Sequence, residues 1–134
     1  MTEFDLQKHL YRYLRRKGLR PVLEVPLNGR SIDLAYITSR DLLVAWEVKL
    51  RDWKGGYTQA GDHLLACDYA VVVMPTHPSQ AARRHYRDTP VGLGWYDGDE
   101  LRLVSHPGGP YPELVYRQQV TEYIEHFWRE GRRP

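Results

Sequence analysis

Cysteine is almost missing from this sequence: Cys67 is the single one among 134 residues. One cysteine cannot form an intrachain disulfide, and a zinc site built from several cysteine thiolates is excluded. Cys67 lies in the apolar stretch 64–67, where a small buried side chain is the expected role for a free cysteine. Nothing in the cysteine content indicates an oxidising compartment.

Long hydrophobic runs are absent as well. The longest one, residues 69–75, is far too short to cross a bilayer as a helix. Residues 1–5 include two acids and no apolar run, so we expect no signal peptide. The sequence therefore predicts a cytoplasmic protein with no membrane partner.

An excess of charge of one sign is also missing, because the formal net charge is only +2. Overall charge therefore does not identify a partner. The composition, 42% hydrophobic and 27% charged, is typical of a globular protein. A chain of this length fits one ordinary domain, and no repeat or low-complexity tract divides it. We expect a single domain over residues 1–134.

Hydrophobic periodicity and turn residues predict the element order α-βββ-α-β-α-ββ-α. The four helices are expected at 3–17, 57–67, 79–88 and 113–129. The six strands are expected at 20–26, 31–37, 42–50, 69–74, 91–96 and 101–104. The run 69–74 is apolar almost throughout, which is typical of a strand buried on both faces. The predicted fold class is α/β, with a mixed central sheet flanked by helices.

Local signals set the ends of several elements. Thr2 and Asp5 have the spacing of a helix capping box, and Gly18 follows the last turn of the first helix. Asn28-Gly29 is a strong signal for a two-residue hairpin. Gly55-Gly56 is expected to break the chain before the second helix.

The residues that carry chemistry stand on the second and third predicted strands. Strand side chains alternate between faces, so Glu47 and Lys49 project on one side of the sheet. A hairpin loop with an odd number of residues around Arg40 would pair residues whose numbers sum to 80. In that register Asp33 lies opposite Glu47, with Cβ atoms roughly 5 Å apart.

Two opposed acids repel each other and destabilise a sheet, unless a cation lies between them. Carboxylates, water and a backbone carbonyl suit Mg²⁺ or Mn²⁺. The ammonium of Lys49 is then placed to activate a water and to offset charge on a phosphorus centre. A surface ladder of ion pairs is the alternative interpretation, but it explains the lysine and not the two opposed acids.

Asp33 followed by Glu47-x-Lys49 resembles the D…(E/D)-x-K signature of the PD-(D/E)XK nuclease superfamily. The resemblance covers residues 3–75 and implies a restriction endonuclease-like α-βββ-α-β core, to which this chain adds a C-terminal hairpin and helix. Ile32 stands where the motif has its proline. The resemblance also implies a function: a metal-dependent nuclease that hydrolyses phosphodiester bonds, with DNA as the expected substrate.

The resemblance assigns roles to individual residues. Asp33 and Glu47 would bind Mg²⁺ or Mn²⁺, and the carbonyl of Val48 would be a further ligand. Lys49 would activate water. Gln59, early in the following helix, matches a glutamine that many members place near the site.

Five other residues are open to more than one interpretation. Glu3 on the first helix matches a glutamate of many members and would support the metal, or it is an acid favoured by the helix dipole. Glu24 would pair with Asp33 across the first hairpin and is also a candidate for supporting the metal. Arg51 and Lys54 either contact substrate phosphates or are solvated loop charges. His63 lies one turn after Gln59 and either points at the site or is exposed, which is the commoner case for a lone histidine.

Other function classes stay open. A nuclease fold without turnover, used for nucleic-acid binding or assembly, would keep the architecture and take up no metal. A ribonuclease or a junction resolvase acting as a homodimer is a further alternative, with the second hairpin and the last helix as the interface. The sequence does not choose between DNA and RNA, between endo- and exonuclease action, or between oligomeric states.

Overall fold

The structure is a computed structural model that describes residues 1–111 and 114–131. Its helices are α1 Glu3–Arg16, α2 Trp53–His63, α3 Gln80–Tyr86 and α4 Arg117–Arg129. Its strands are β1 Val22–Leu27, β2 Arg30–Ile37, β3 Leu43–Val48, β4 Tyr69–Met74, β5 Gly92–Tyr96 and β6 Leu101–Ser105. The predicted element order and the α/β class are confirmed.

The six strands form one mixed sheet in the order β1-β2-β3-β4-β5-β6. β4 is parallel to both of its neighbours, and the other three pairs are antiparallel. The helix α2 connects β3 to β4, which is the crossover that a parallel pair requires. This arrangement is the predicted restriction endonuclease-like core with a C-terminal hairpin and helix.

Helices cover both faces of the sheet. Both faces of β4 are therefore buried, which explains why its sequence is apolar throughout. Val71 and Val73 pack with α1 on one face. Val72, between them, packs with Ala60 of α2 and Tyr86 of α3 on the other face. Alternate side chains of one strand therefore enter two separate cores, which is the pattern of a central parallel strand.

The local signals at the first helix and first hairpin act as predicted. Thr2 Oγ1 accepts a hydrogen bond from the backbone N–H of Asp5 at 3.0 Å, and the Asp5 carboxylate accepts from the N–H of Thr2 at 2.9 Å. Gly18 has a φ of +87°, and the turn residues Asn28 and Gly29 have φ values of +51° and +79°. Two successive positive φ values are those that a type I′ hairpin turn requires.

The predicted bounds of the second helix are wrong, because Gly55-Gly56 lies inside α2. The Asp52 carboxylate accepts a hydrogen bond from the N–H of Gly55 at 3.0 Å and so caps a helix that begins at Trp53. The helix also ends earlier than predicted, at His63, and residues 64 and 65 continue in turns closed by bonds to the third residue before them. The whole helix is thus displaced by four residues relative to the prediction.

The last helix begins at Arg117, where an ion pair fixes it to the sheet. Asp68 is 2% exposed and accepts a hydrogen bond from the N–H of Leu43 at 2.8 Å. The guanidinium of Arg117 pairs with the same carboxylate. The predicted start of this helix, residue 113, lies outside the described residues. Within the described residues, no helix is both long and apolar enough to span a bilayer.

Candidate functional site

The β2–β3 hairpin has the register that brings the two predicted metal ligands together. Leu34 pairs with Trp46 and Ala35 pairs with Ala45, so paired residue numbers sum to 80 as predicted. The next positions in this register are 33 and 47. Asp33 and Glu47 therefore stand opposite each other on neighbouring strands.

The backbone at the end of β3 reinforces this arrangement. The N–H of Val48 donates a hydrogen bond to Asp33 Oδ2 at 2.8 Å. In a strand, the N–H and the C=O of one residue point to the same side. The carbonyl of Val48 consequently points toward β2, the strand that carries Asp33, which is the direction that its predicted role requires.

A cavity of about 390 Å³ opens over the two carboxylates. All four residues predicted to be catalytic line it: Asp33, Glu47, Lys49 and Gln59. The lining also includes Glu3 and His63. Two strands and two helices therefore contribute side chains to one concave site.

Burial raises the pKa values of both carboxyl groups. The pKa of Asp33 is raised to about 8, first by burial and then by the neighbouring charge of Glu47. Burial also raises the pKa of Glu47, which is 4% exposed. At neutral pH Asp33 therefore keeps its proton, and burial makes Glu47 easier to protonate than a free glutamate.

His63 points at the site, which sequence analysis considered but ranked below an exposed position; the favoured alternative is wrong. It is 4% exposed, and its Nε2 lies 2.6 Å from Glu47 Oε1. Burial lowers the pKa of His63 to about 4, so the ring is neutral at neutral pH. An ionised carboxylate only accepts hydrogen bonds, so His63 Nε2–H is the donor whenever Glu47 is ionised.

Gln59 contributes a polar atom that points to a missing ligand. Its Oε1 is buried and has no hydrogen-bond partner among the described residues. An unpaired buried acceptor costs free energy, and this one lines the cavity of the two acids. The donor set of carboxylate and amide oxygens fits a hard divalent cation or its bound water.

Lys49 and α2 are held close together by a glycine. A Cβ placed on Gly56 would lie 2.9 Å from Lys49 Cγ and 3.0 Å from Val72 Cγ1, which is closer than ordinary side-chain contact. The missing side chain lets the helix lie directly on β3 and β4. This close approach brings Gln59 and His63, one and two turns further along, over the carboxylates.

The other predicted residues lie at different distances from this cavity. Glu3 reaches it from the start of α1 and accepts a weak hydrogen bond from the N–H of Leu50 at 3.4 Å. Glu24 is exposed, accepts a hydrogen bond from Ser31 Oγ at 2.7 Å and is not part of the lining. Arg51 and Lys54 are exposed just after β3 and do not line the cavity either.

The protein provides only two carboxylate ligands for an ion and not a complete coordination shell. Among residues 1–111 and 114–131, no group of three or more His, Cys, Asp or Glu side chains is arranged to hold a metal ion. Mg²⁺ commonly binds through one or two carboxylates and keeps several waters. The site therefore fits an ion that completes its coordination with water and a backbone carbonyl.

Solved structures with the same fold include three distant relatives. A protein of unknown function from Silicibacter pomeroyi superposes with a TM-score of 0.70 at 18% identity, covering 98% of this chain and 89% of that chain. The protein of unknown function AF1548 gives a TM-score of 0.59 at 14% identity, covering 99% and 69%. No protein-family model matches the sequence, and no curated protein matches it either.

The third structure is a repair endonuclease from Pyrococcus abyssi, with a TM-score of 0.54 at 11% identity. The superposition covers 83% of this chain and 48% of the endonuclease, so this chain corresponds to about half of that protein. Identities this low show the fold alone. The chain thus has a nuclease-like fold, which it shares with a repair endonuclease.

Proposed function

We propose that this protein is a divalent-metal-dependent nuclease of the PD-(D/E)XK type that hydrolyses phosphodiester bonds, with DNA as the expected substrate. The observation that carries the proposal is the pair of opposed carboxylates, the half-buried Asp33 and the buried Glu47, with Lys49 in the same cavity. The shared fold with a repair endonuclease supports it.

The site residues divide the work as follows. Asp33, Glu47 and the carbonyl of Val48 would hold Mg²⁺ or Mn²⁺. The bound ion would act as a Lewis acid on the phosphoryl oxygen and lower the pKa of a water molecule. Lys49 would take up the proton of the attacking water or stabilise the charge that develops on phosphorus. Gln59 would orient that water through its unpaired Oε1.

Residues around the cavity have supporting roles in this proposal. Glu3, at the cavity wall, would hydrogen bond to water around the ion. Arg51 and Lys54 follow β3 and would contact substrate phosphates as they leave the cavity, a contribution that weakens with added salt. Glu24 would act only through the electric field, since its carboxylate is bonded to Ser31.

A nuclease fold that binds nucleic acid or assembles without turnover is the second candidate function. The low identity to the repair endonuclease is compatible with it. The two candidates differ in a direct way: the enzyme takes up one divalent ion in the carboxylate site, whereas a binding module has no need to. Isothermal titration with Mn²⁺ separates them before any substrate is known.

The activity test compares three forms of the protein on linear and single-stranded DNA, with Mg²⁺, Mn²⁺ or EDTA. Wild type is expected to cleave only with the metals. Lys49→Ala is expected to cleave at least about 100-fold more slowly, because general acid–base groups contribute factors of this size. Lys17→Ala is the matched control, since Lys17 is exposed at the end of α1 and lies outside the cavity.

Two results would count against the nuclease proposal. Equal cleavage by wild type and Lys49→Ala would remove Lys49 from the mechanism and indicate a contaminating nuclease. Absence of both metal uptake and cleavage in wild type would favour the binding module. Unchanged Mn²⁺ affinity in an inactive Lys49→Ala, by contrast, is the expected signature of a residue that acts on water rather than on the ion.

A further inference from the structure

His63 and Glu47 form a buried contact that the proposed chemistry has not used. His63 is the last residue of α2, and its side chain reaches down to β3, where Nε2 lies 2.6 Å from Glu47 Oε1. Both side chains are 5% exposed. The imidazole and the carboxyl group therefore meet away from bulk water, where a hydrogen bond is stronger and a missing partner is more costly.

The backbone of His63 is fixed independently of its side chain. Its carbonyl accepts hydrogen bonds from the N–H groups of Ala66 at 3.0 Å and Cys67 at 2.9 Å. The preceding residue, Asp62, pairs with Arg30 at the start of β2 at 2.9 Å. The turn after α2 thus fixes the backbone at His63, whereas the exposed Asp62–Arg30 pair contributes little.

The two carboxylates are held in the same manner. One oxygen of Asp33, Oδ2, accepts the N–H of Val48, and one oxygen of Glu47, Oε1, accepts Nε2–H of His63. Each acid is thereby anchored by one oxygen to an N–H of the protein. The two carboxyl groups also hydrogen bond to each other, and a bound ion would replace that contact. Such outer donors orient metal-binding side chains and fix their geometry.

We propose that His63 is a positioning residue that holds Glu47 in the orientation for binding a divalent ion by donating Nε2–H to Oε1. The inference rests on the proposed function, because it assigns Glu47 as a ligand. His63 itself stays outside the coordination sphere. It therefore strengthens the binding of any divalent ion at this site and does not select between Mg²⁺ and Mn²⁺.

The experiment measures binding of Mn²⁺ and of Mg²⁺ by isothermal titration, without substrate, to wild type and three variants. His63→Leu removes the donor, and His63→Gln keeps an N–H that can reach Glu47. Asp62→Asn is the matched control, since it changes the adjacent exposed residue. Thermal unfolding of each metal-free variant, with titrations well below its Tm, shows that the folded protein is being measured.

His63→Leu is expected to bind both ions about 10- to 100-fold more weakly, the usual effect of losing such a donor. His63→Gln is expected to recover most of the affinity, and Asp62→Asn to bind like wild type. Unchanged affinity in His63→Leu would overturn the inference. Equal loss in the Leu and Gln variants, or loss confined to Mn²⁺, would do so too, because those results indicate an imidazole ligand.

Failure of the inference can be told apart from failure of the proposed function. If wild type binds neither ion, the metal site itself is wrong, and the role of His63 falls with it. If wild type binds Mn²⁺, Asp33→Asn does not, and His63→Leu binds normally, the metal site stands and only the positioning role is refuted.

Discussion

Replacing Asp33 with asparagine should change how the stability of the metal-free protein depends on pH. Asparagine has the shape of the protonated acid: its Oδ1 can accept the N–H of Val48, and its amide can donate to Glu47. In the folded wild type the pKa of Asp33 is raised to about 8, from 3.8 for an unperturbed aspartate. The variant has no such proton to lose.

Proton linkage sets whether the free energy of unfolding rises or falls with pH. A carboxyl whose pKa is raised on folding binds more protons in the folded state, so the free energy of unfolding falls as pH rises toward the folded pKa. The pKa of His63 is lowered, to about 4 from 6.5, which has the opposite effect below pH 6.5. Above that pH the charged fraction of His63 in the unfolded state falls from one half toward zero, so its effect is the smaller one and Asp33 dominates.

The size of this change in unfolding free energy follows from the pKa of Asp33. Between pH 6.5 and 8, the fraction of folded molecules with a protonated Asp33 falls from nearly all to one half. The resulting loss of unfolding free energy in wild type is about 1.5 kcal/mol. The unfolding free energy of Asp33→Asn should hardly change over this pH range, and the variant should be more stable than wild type at pH 8.

Urea unfolding in EDTA, at pH 6.5, 7.2 and 8, measures this difference. Asp62→Asn is the control: it removes an exposed carboxylate on the neighbouring helix and should keep the slope of wild type. Saturating Mn²⁺ should reverse the slope in wild type, because the ion displaces the proton. Identical pH dependence in wild type and Asp33→Asn would refute the reasoning that the two acids share a proton.

Two further predictions concern the framework of the site. Gly56→Ala should lower the free energy of unfolding by about 1–3 kcal/mol through overpacking and should reduce cleavage, because its Cβ would lie 2.9 Å from Lys49 Cγ. Gly61→Ala, on the same helix with no atom within 4 Å of its Cβ, should stabilise by about 0.5–1 kcal/mol; equal effects of the two changes in chemical denaturation would contradict the close contact. Arg117→Leu should destabilise by about 2 kcal/mol, since it leaves the buried carboxylate of Asp68 without its cation. The cleavage rate of Arg117→Leu should stay near that of wild type. A large loss of activity in a fully folded sample of this variant would show that the ion pair affects the site.

The placement of the two acids could be predicted because it depends on short-range geometry. Alternation along a strand and an odd hairpin loop are sufficient to set Asp33 against Glu47, and the observed pairing of Leu34 with Trp46 follows that register. The elements around them could be predicted for the same reason, since the apolar run 69–74 and the Asn28-Gly29 turn are local signals.

The burial of His63 was not predicted because α2 was expected to begin four residues later than it does. Glycines usually weaken a helix, but Gly56 lies inside this one, where its lack of a side chain allows packing against Lys49. Once the helix begins at Trp53, its buried residues are Gly56, Ala60 and His63. The signal that would have found His63 was Asp52 as the helix cap.

Glu24 shows a second limit of local rules. The pairs on either side of it, Leu23 with Leu34 and Val25 with Ile32, keep the predicted register. Glu24 itself has a φ of +53°, a conformation that strand alternation does not anticipate. Its carboxylate consequently bonds to Ser31 and not to the cavity.

The central claim is that Asp33 and Glu47 share one divalent ion. The most direct measurement is an anomalous difference map from a crystal of wild type soaked with Mn²⁺. We expect one strong peak in the cavity, about 2.1 Å from a carboxylate oxygen of each residue, and no such peak in a crystal of Asp33→Asn. A soaked wild-type crystal with no density between the two acids, or with manganese bound only elsewhere, would contradict it.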